Sequence, residues 1–223
     1  MRRLLTFGLL SLGLLAALVV LLDFFAKAYT EDQIAEAITH RSQNVGHAEA
    51  SIDSFPFTGR LLLQGRVEHL SVDLSQLRGI EAPIDEIVVE VDGLEMEKST
   101  LLGRQHVEIT HVDRVSVSAL VSSLRLQELA NQFGVLLGFS DNKMTVSGLP
   151  VEVFPDGSEL VLRAGPLGTL RVPIPSGDVN LLPCAPSVRV TKDGVVLSCE
   201  SEHLPKILID AIGSLDLKRE LTP

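Results

Sequence analysis

Tryptophan is absent, tyrosine occurs once and cysteine twice, and 19 lysines and arginines face 29 aspartates and glutamates. The shortage of positive charge argues against nucleic acid as a partner, because phosphates demand compensating lysine and arginine. It argues equally against a broad basic face that would hold anionic lipid. With so few aromatics, the interior has to be built from leucine, valine and isoleucine, residues that suit a β-rich core. Two cysteines without C-x-x-C spacing do not make a redox-active pair. Several catalytic signatures are also missing. There is no G-x-S-x-G for a serine hydrolase, no G-x-x-x-x-G-K-[ST] for a phosphate-binding loop and no D-x-[DN]-x-[DN]-G calcium loop. The strand–helix alternation of a doubly wound fold is absent as well.

What is present begins with an uncharged run. Leu4 to Leu22 carries no charged residue, and Arg2 and Arg3 stand immediately before it. A helix of about 20 apolar residues crosses a bilayer core, and flanking basic residues hold its N-terminus on the cytoplasmic side. Two readings follow. In the first, residues 1–28 are a signal peptide, with Ala26-Lys27-Ala28 as an A-x-A cleavage site before Tyr29. In the second they are an uncleaved anchor, favoured by the length of the run and by bulky Phe24 and Phe25 near that site. Both put residues 29–223 outside the cytoplasm, as one domain with enough chain to bury a core. Removing residues 1–28 takes away three positive charges and one negative, so the exported part is more acidic than the −10 of the whole chain.

Thr30 to Arg41 has helical spacing, with Thr30 able to cap it, Gln33 at the capping-box position and Ile34, Ala35, Ala37 and Ile38 as its apolar face; the helix either continues from the uncharged run or begins just after it. From residue 61 the period changes to two. Leu70, Val72 and Leu74 alternate with polar residues, as do Ile87, Val89 and Val91, then Val107 and Ile109, and Val115 and Val117 with a slip near His111-Val112. A helix is expected over Ser118–Phe133, capped by Ser118 and ended at Gly134 or Gly138. Shorter strands follow at Lys143–Ser147, Val151–Phe154, Glu159–Arg163 and Leu167–Val172, with Pro155-Asp156-Gly157 as a turn. Pro173 and Pro175 restrict pairing there to an edge. Asp193-Gly194 marks a hairpin that brings Cys184 and Cys199 close enough for a disulfide in an oxidising compartment. Leu204–Leu217 reads as a final amphipathic helix. The fold class is α+β, with long strands suited to a curved antiparallel sheet.

The densest titratable group is His106, Glu108 and His111, but on a strand an odd offset sends His111 to the other face. The acidic residues Asp85, Glu86, Glu90, Asp92, Glu95 and Glu97 read as a solvated strand face rather than a catalytic pair. No metal, cofactor or catalytic residue is expected. The segment with most local character is Ser54-Phe55-Pro56-Phe57-Thr58-Gly59-Arg60-Leu61-Leu62-Leu63-Gln64-Gly65-Arg66. Pro56 fixes its own φ and holds Phe55 extended, and Gly65 is expected to break or bulge a strand. The segment reads either as an apolar lip, with Arg60 and Arg66 beside it for a headgroup phosphate, or as a plug closing one end of the core.

The pattern Phe55-Pro-Phe57-x-x-x-Leu61-x-x-x-Gly65-x-Val67, preceded by Asp23 and Gln33-Ile-Ala-Glu36 and followed by Val188-Arg-Val190-x-x-Asp193-Gly-Val195, resembles the LmeA-like family of envelope phospholipid-binding proteins. The resemblance runs from about Asp23 to about Glu202. It implies a fold like that of the tubular lipid-binding proteins, a long curved antiparallel sheet wrapped on a helix, and a part in envelope glycolipid assembly. It brings no catalytic residues. The expected lipid-contacting residues are Phe55, Pro56, Phe57, Arg60, Leu61, Leu62, Arg66 and Arg104, and the expected partners are phospholipid and membrane. The alternative is a non-catalytic envelope scaffold that binds another protein. The mass of the mature chain separates the two readings of the N-terminus: a start at Tyr29 identifies a cleaved signal, and retention of residues 1–28 identifies an anchor.

Overall fold

The computed structural model describes residues 2–42, 44–77, 84–97, 107–132, 134–140, 142–156, 159–165, 168–173 and 184–213. The first element is one uninterrupted helix, α1 (Arg2–Arg41), of 40 residues. At 1.5 Å per residue it is about 60 Å long. Up to Leu22 its described side chains stand clear of the domain; Leu14 is 76% exposed. Beyond that, Ile34 and Ile38 are buried in the core. The apolar run and the expected helix at 30–41 are therefore one rod, and Thr30 is not its cap. Thr30 Oγ1 instead donates to the Ala26 carbonyl one turn back, at 2.8 Å.

The larger sheet has seven antiparallel strands: β1 (Val45–Asp53), β2 (Arg66–Leu77), β3 (Glu86–Met96), β4 (Ile109–His111), β5 (Arg114–Ser122), β11 (Ser187–Thr191) and β12 (Gly194–Ser201). Their order is β1-β2-β3-β5-β12-β11, with β4 beside β3. A helix, α2 (Phe57–Gln64), interrupts the connection from β1 to β2. The alternation seen in the sequence becomes a buried row across the strands. Ala50 pairs with Val72, Val72 with Val89, Val89 with Val117 and Val117 with Cys199. These aliphatic positions meet Ile34 and Ile38 of α1, and Leu208 and Ile212 of α4 (Lys206–Ile212), in one core. The expected slip near His111 is a register shift in the pairing of β3 with β4, between Glu95 and Met96.

A second sheet has the order β10-β9-β8-β7-β6. Its strands are β6 (Leu137–Ser140), β7 (Lys143–Val146), β8 (Leu149–Asp156), β9 (Glu159–Arg163) and β10 (Thr169–Pro173). Pro173 ends an edge strand, where a missing N–H costs nothing. Pro175, Gly157, Leu167 and Phe133 lie outside the described residues, as do residues 214–217 of the expected last helix. The helix expected over 118–133 begins later. Residues 114–122 are β5, and α3 (Ser123–Asn131) follows, with Ser122 Oγ accepting from Arg125 N at 3.3 Å. Val115, Val117, Ala119 and Val121 are buried and alternate with half-buried neighbours, and residues 115–120 pair on both sides, so tertiary pairing decides a stretch whose apolar spacing suits either period.

Cys184 and Cys199 form a disulfide with Cα atoms 5.8 Å apart. The hairpin between them turns at Lys192-Asp193, with Thr191 paired to Gly194. Gly194 is required there: a Cβ would lie 2.1 Å from the Val121 carbonyl oxygen. A bridge closing 15 residues removes about 3 kcal/mol of chain entropy from the unfolded state. The double variant Cys184→Ala/Cys199→Ala is expected to lose stability of that order, read as a lowered midpoint in chemical denaturation.

Candidate functional site

Helix α2 is built by long-range contacts more than by its own sequence. Pro56, at the N-cap position, has no side-chain oxygen to satisfy the first N–H groups. Asp23 does so from α1. Its Oδ2 accepts from Phe57 N at 2.9 Å and its Oδ1 from Thr58 N at 2.6 Å. Asp23 is one of the two buried polar residues among those described, and it immediately follows the uncharged run. A second tie lies two turns further on, where Glu31 Oε1 accepts from Ile52 N of β1 at 2.6 Å. At the other end of α2, Gly65 takes the left-handed conformation (φ 71°) that a helix C-cap favours. Leu61-Leu62-Leu63 is thus helical rather than extended, and Gly65 ends a helix rather than bulging a strand.

The residues expected to contact lipid separate accordingly. Phe57 is 2% exposed and fills the core, whereas Phe55 and Leu62 are exposed. Leu61 is half-buried and Pro56 starts the helix. Arg60 pairs with Glu68. Arg66 bridges Glu95 Oε1 at 3.0 Å and Asp113 Oδ2 at 2.6 Å. Arg104 and His106 lie outside the described residues. The pocket beneath Phe57 and Leu61, bounded by Ile34, Ile52, Leu94 and Val107, has about 30 Å³ of room. That is space for about one water molecule. Most of this end of the domain is therefore closed by its own side chains.

The acidic face of the large sheet is cross-linked. His69 Nδ1 lies 2.8 Å from Asp92 Oδ1, and Arg114 Nε donates to Asp92 Oδ2 at 3.2 Å. The hydrogen bond with His69 is the leading reason that the Asp92 carboxyl titrates below its ordinary range, with Arg114 adding to it. His111 Nε2 sits 3.2 Å from Asp113. Asp85 accepts from Ser122 N at 2.9 Å and from Arg125. These carboxylates hold strands and α3 in place.

Larger room lies at the second sheet. Met144 and Val146, Leu149, Val151 and Val153, Leu160 and Leu162, and Leu170 alternate along their strands and share one face by register. Ala130 and Val135 roof part of that face and leave an apolar pocket of about 210 Å³. Gln127 fixes the roof: its side chain donates to the Val135 carbonyl at 3.1 Å and accepts from Leu137 N at 2.8 Å. Leu149, next to Val151 on the same face, is 42% exposed, so the apolar surface continues outwards. Met144 and Val151 also line a second cleft, of about 350 Å³, together with Asn142, Val153, Val188, Arg189 and Val190. Asn142 N donates to the Val190 carbonyl at 3.1 Å and joins the second sheet to β11.

Arg189 is distinctive. Arginines 60, 66, 114, 125, 163 and 171 each pair with a carboxylate. Among the arginines whose side chains are described, Arg189 alone has no such partner. Sequence reasoning passed over this region, although its signal was visible in the two-residue alternation of four successive short strands and in Val188-Arg189-Val190.

Met144 and Val151 line both the apolar pocket and the open cleft, and Arg189 borders the cleft. The chain belongs to the LmeA-like phospholipid-binding family: the family's model matches residues 21–200. No curated protein and no solved structure matches it. Asp23 lies inside the matched span. Asp23→Ala is expected to leave the amides of Phe57 and Thr58 uncapped at a cost of about 1–2 kcal/mol, with Asp23→Asn, which keeps one acceptor, losing less. Hydrogen exchange at those two amides, faster than in the parent chain while β3 and β5 stay protected, is the measurement.

Proposed function

We propose that this chain is a membrane-tethered phospholipid-binding protein, held by an uncleaved α1 with its domain on the extracytoplasmic side. It seats acyl chain in the pocket of the second sheet and headgroup phosphate at Arg189. The observation that carries the site is the contrast in room: 210 Å³ at the second sheet, sharing Met144 and Val151 with the cleft that Arg189 borders, against 30 Å³ beneath Phe57. An apolar cavity of about 150 Å³ already takes a benzene-sized guest, so the larger pocket accommodates a stretch of chain. Passage of acyl chain from bilayer to groove is close to neutral, since both are apolar. Selectivity therefore rests on the headgroup, and a charge-assisted bond to phosphate is worth about 1.5–3 kcal/mol. Phe55 and Leu62 remain proposed lipid contacts of a second kind, at the membrane end of the domain, whereas Arg60 and Arg66 are engaged by carboxylates of the sheet.

The anchor reading is supported by Asp23. Cleavage after Ala28 would remove the residue that caps α2, together with part of the family's matched span. We read the protein as a carrier or sensor rather than an enzyme, because the carboxylates and histidines around β3 and β5 are engaged in holding the sheet. Service in envelope glycolipid assembly rests on the family resemblance alone. The filled space under α2 favours the scaffold alternative at that end of the molecule.

Native mass spectrometry of the full chain, released gently from membrane, tests the reading. Co-purified phospholipid is expected, its retention weakened about ten-fold by Arg189→Gln and lost on Ala164→Phe, which fills the pocket. Retention unchanged in both variants would move the site elsewhere. Absence of lipid from the parent chain, with no uptake from phospholipid vesicles and a stable protein captured instead, would favour the scaffold.

A further inference from the structure

The end of the domain nearest the uncharged run carries an apolar surface that the core does not use. Phe55 is 66% exposed, Leu62 47% and Leu63 76%, and on α1 Phe24 and Phe25 are 66% and 61% exposed. These residues are neighbours because Asp23 binds the backbone of Phe57 and Thr58 directly. The N-terminus of α2 is therefore fixed at the level of α1 where the uncharged run ends. The buried face of α2 looks the other way. Phe57 and Leu61 share their pocket with Thr30 and Ile34, seven and eleven residues further along α1 than Asp23. At 1.5 Å per residue those positions lie about 10 and 16 Å deeper into the domain.

We propose that Phe55 and α2, with Leu62 and Leu63, form a wedge that rests in the headgroup and upper acyl region of the bilayer from which α1 emerges. The inference rests on the reading of Leu4–Leu22 as a membrane span. The occupant of this surface is set by continuity: the surface starts at Phe24, two residues beyond the span, and α2 is tied by two hydrogen bonds to Asp23, the first residue after it. Charge agrees. The chain carries −10 overall and Arg60 is paired with Glu68, so contact with lipid at this end is apolar rather than electrostatic. A short helix laying leucines into the interface is an established mode of membrane contact. A wedge beside a span also restricts rotation and tilt of the domain about its tether, and so fixes which part of the domain faces the membrane.

The chain has no tryptophan, so single tryptophans report without background. Full-length Phe55→Trp, Leu63→Trp, Leu15→Trp and Leu124→Trp are reconstituted in phosphatidylcholine/phosphatidylglycerol nanodiscs containing lipids spin-labelled at shallow or deep positions. Folding of each variant is checked by the retained disulfide and by circular dichroism. The wedge predicts blue-shifted emission at 55 and 63 with strong loss to the shallow label, loss at 15 to the deep label, and none at 124 on α3. Loss at 15 with none at 55 and 63 would overturn the wedge and leave the span standing. No loss at 15 would overturn the span, and no loss at any of the three would overturn both. The pair Phe55→Ser and Leu63→Ser adds a second readout, a widened range of domain tilt in the nanodisc; an unchanged tilt distribution counts against the wedge.

Discussion

Two hydrogen bonds accepted by one buried carboxylate organise the end of the domain nearest the uncharged run. Asp23 stands where an apolar rod becomes the core helix of a folded domain. A carboxylate at this depth is costly unless its oxygens are satisfied, and the first two N–H groups of α2 satisfy them. The same bonds supply α2 with the cap that Pro56 lacks. Helix α2 has eight residues, too few to be stable alone, so its place depends on this cap, on buried Phe57 and on Gly65 at its C-terminus. Tether, lip and core are thereby joined at one residue.

The two sheets divide the labour. The large sheet encloses α1 and α4 with a core packed so well that little room remains beneath Phe57. Its outer carboxylates and arginines are paired with one another, which stiffens the strands and leaves little charge to attract a headgroup. The smaller sheet is only partly roofed. Its apolar face is open beyond Leu149, and β11, at the edge of the large sheet, brings Arg189 to the cleft beside it; the proposed phospholipid site draws on both.

Much of this was legible in the amino-acid order. The alternation of Leu70, Val72 and Leu74 and of Ile87, Val89 and Val91 identifies half-buried strands directly, because burial on one face leaves a period of two. The cysteine pair followed from a turn signal and a compartment. Residues 118–122 fold as strand where helical spacing is expected, because a strand inside a sheet and an amphipathic helix demand similar apolar content, and only the neighbours β3 and β12 decide between them. Leu61–Leu63 deceived for a different reason: α2 is capped from 34 residues away, and no local pattern carries that information. The proposed role of Arg189 is not legible in the sequence, because an arginine without a carboxylate partner is a property of the folded chain.

On the proposed anchor reading, the tether bears on mechanism through geometry. Linking a binding module to its source membrane raises the effective concentration of lipid without strengthening any contact. That advantage is lost if the linker lets the domain wander or turn its mouth away. Here there is no linker: the rod that spans the run from Leu4 to Leu22 is the same helix whose Ile34 and Ile38 lie in the core. A domain on such a rod samples few orientations, and Asp23 removes the remaining play of α2 against it. Cleavage at Ala28 would therefore do more than release a carrier into the envelope. It would strip the cap from α2 and expose the amides of Phe57 and Thr58, so the fate of the N-terminus is a question of folding as much as of address.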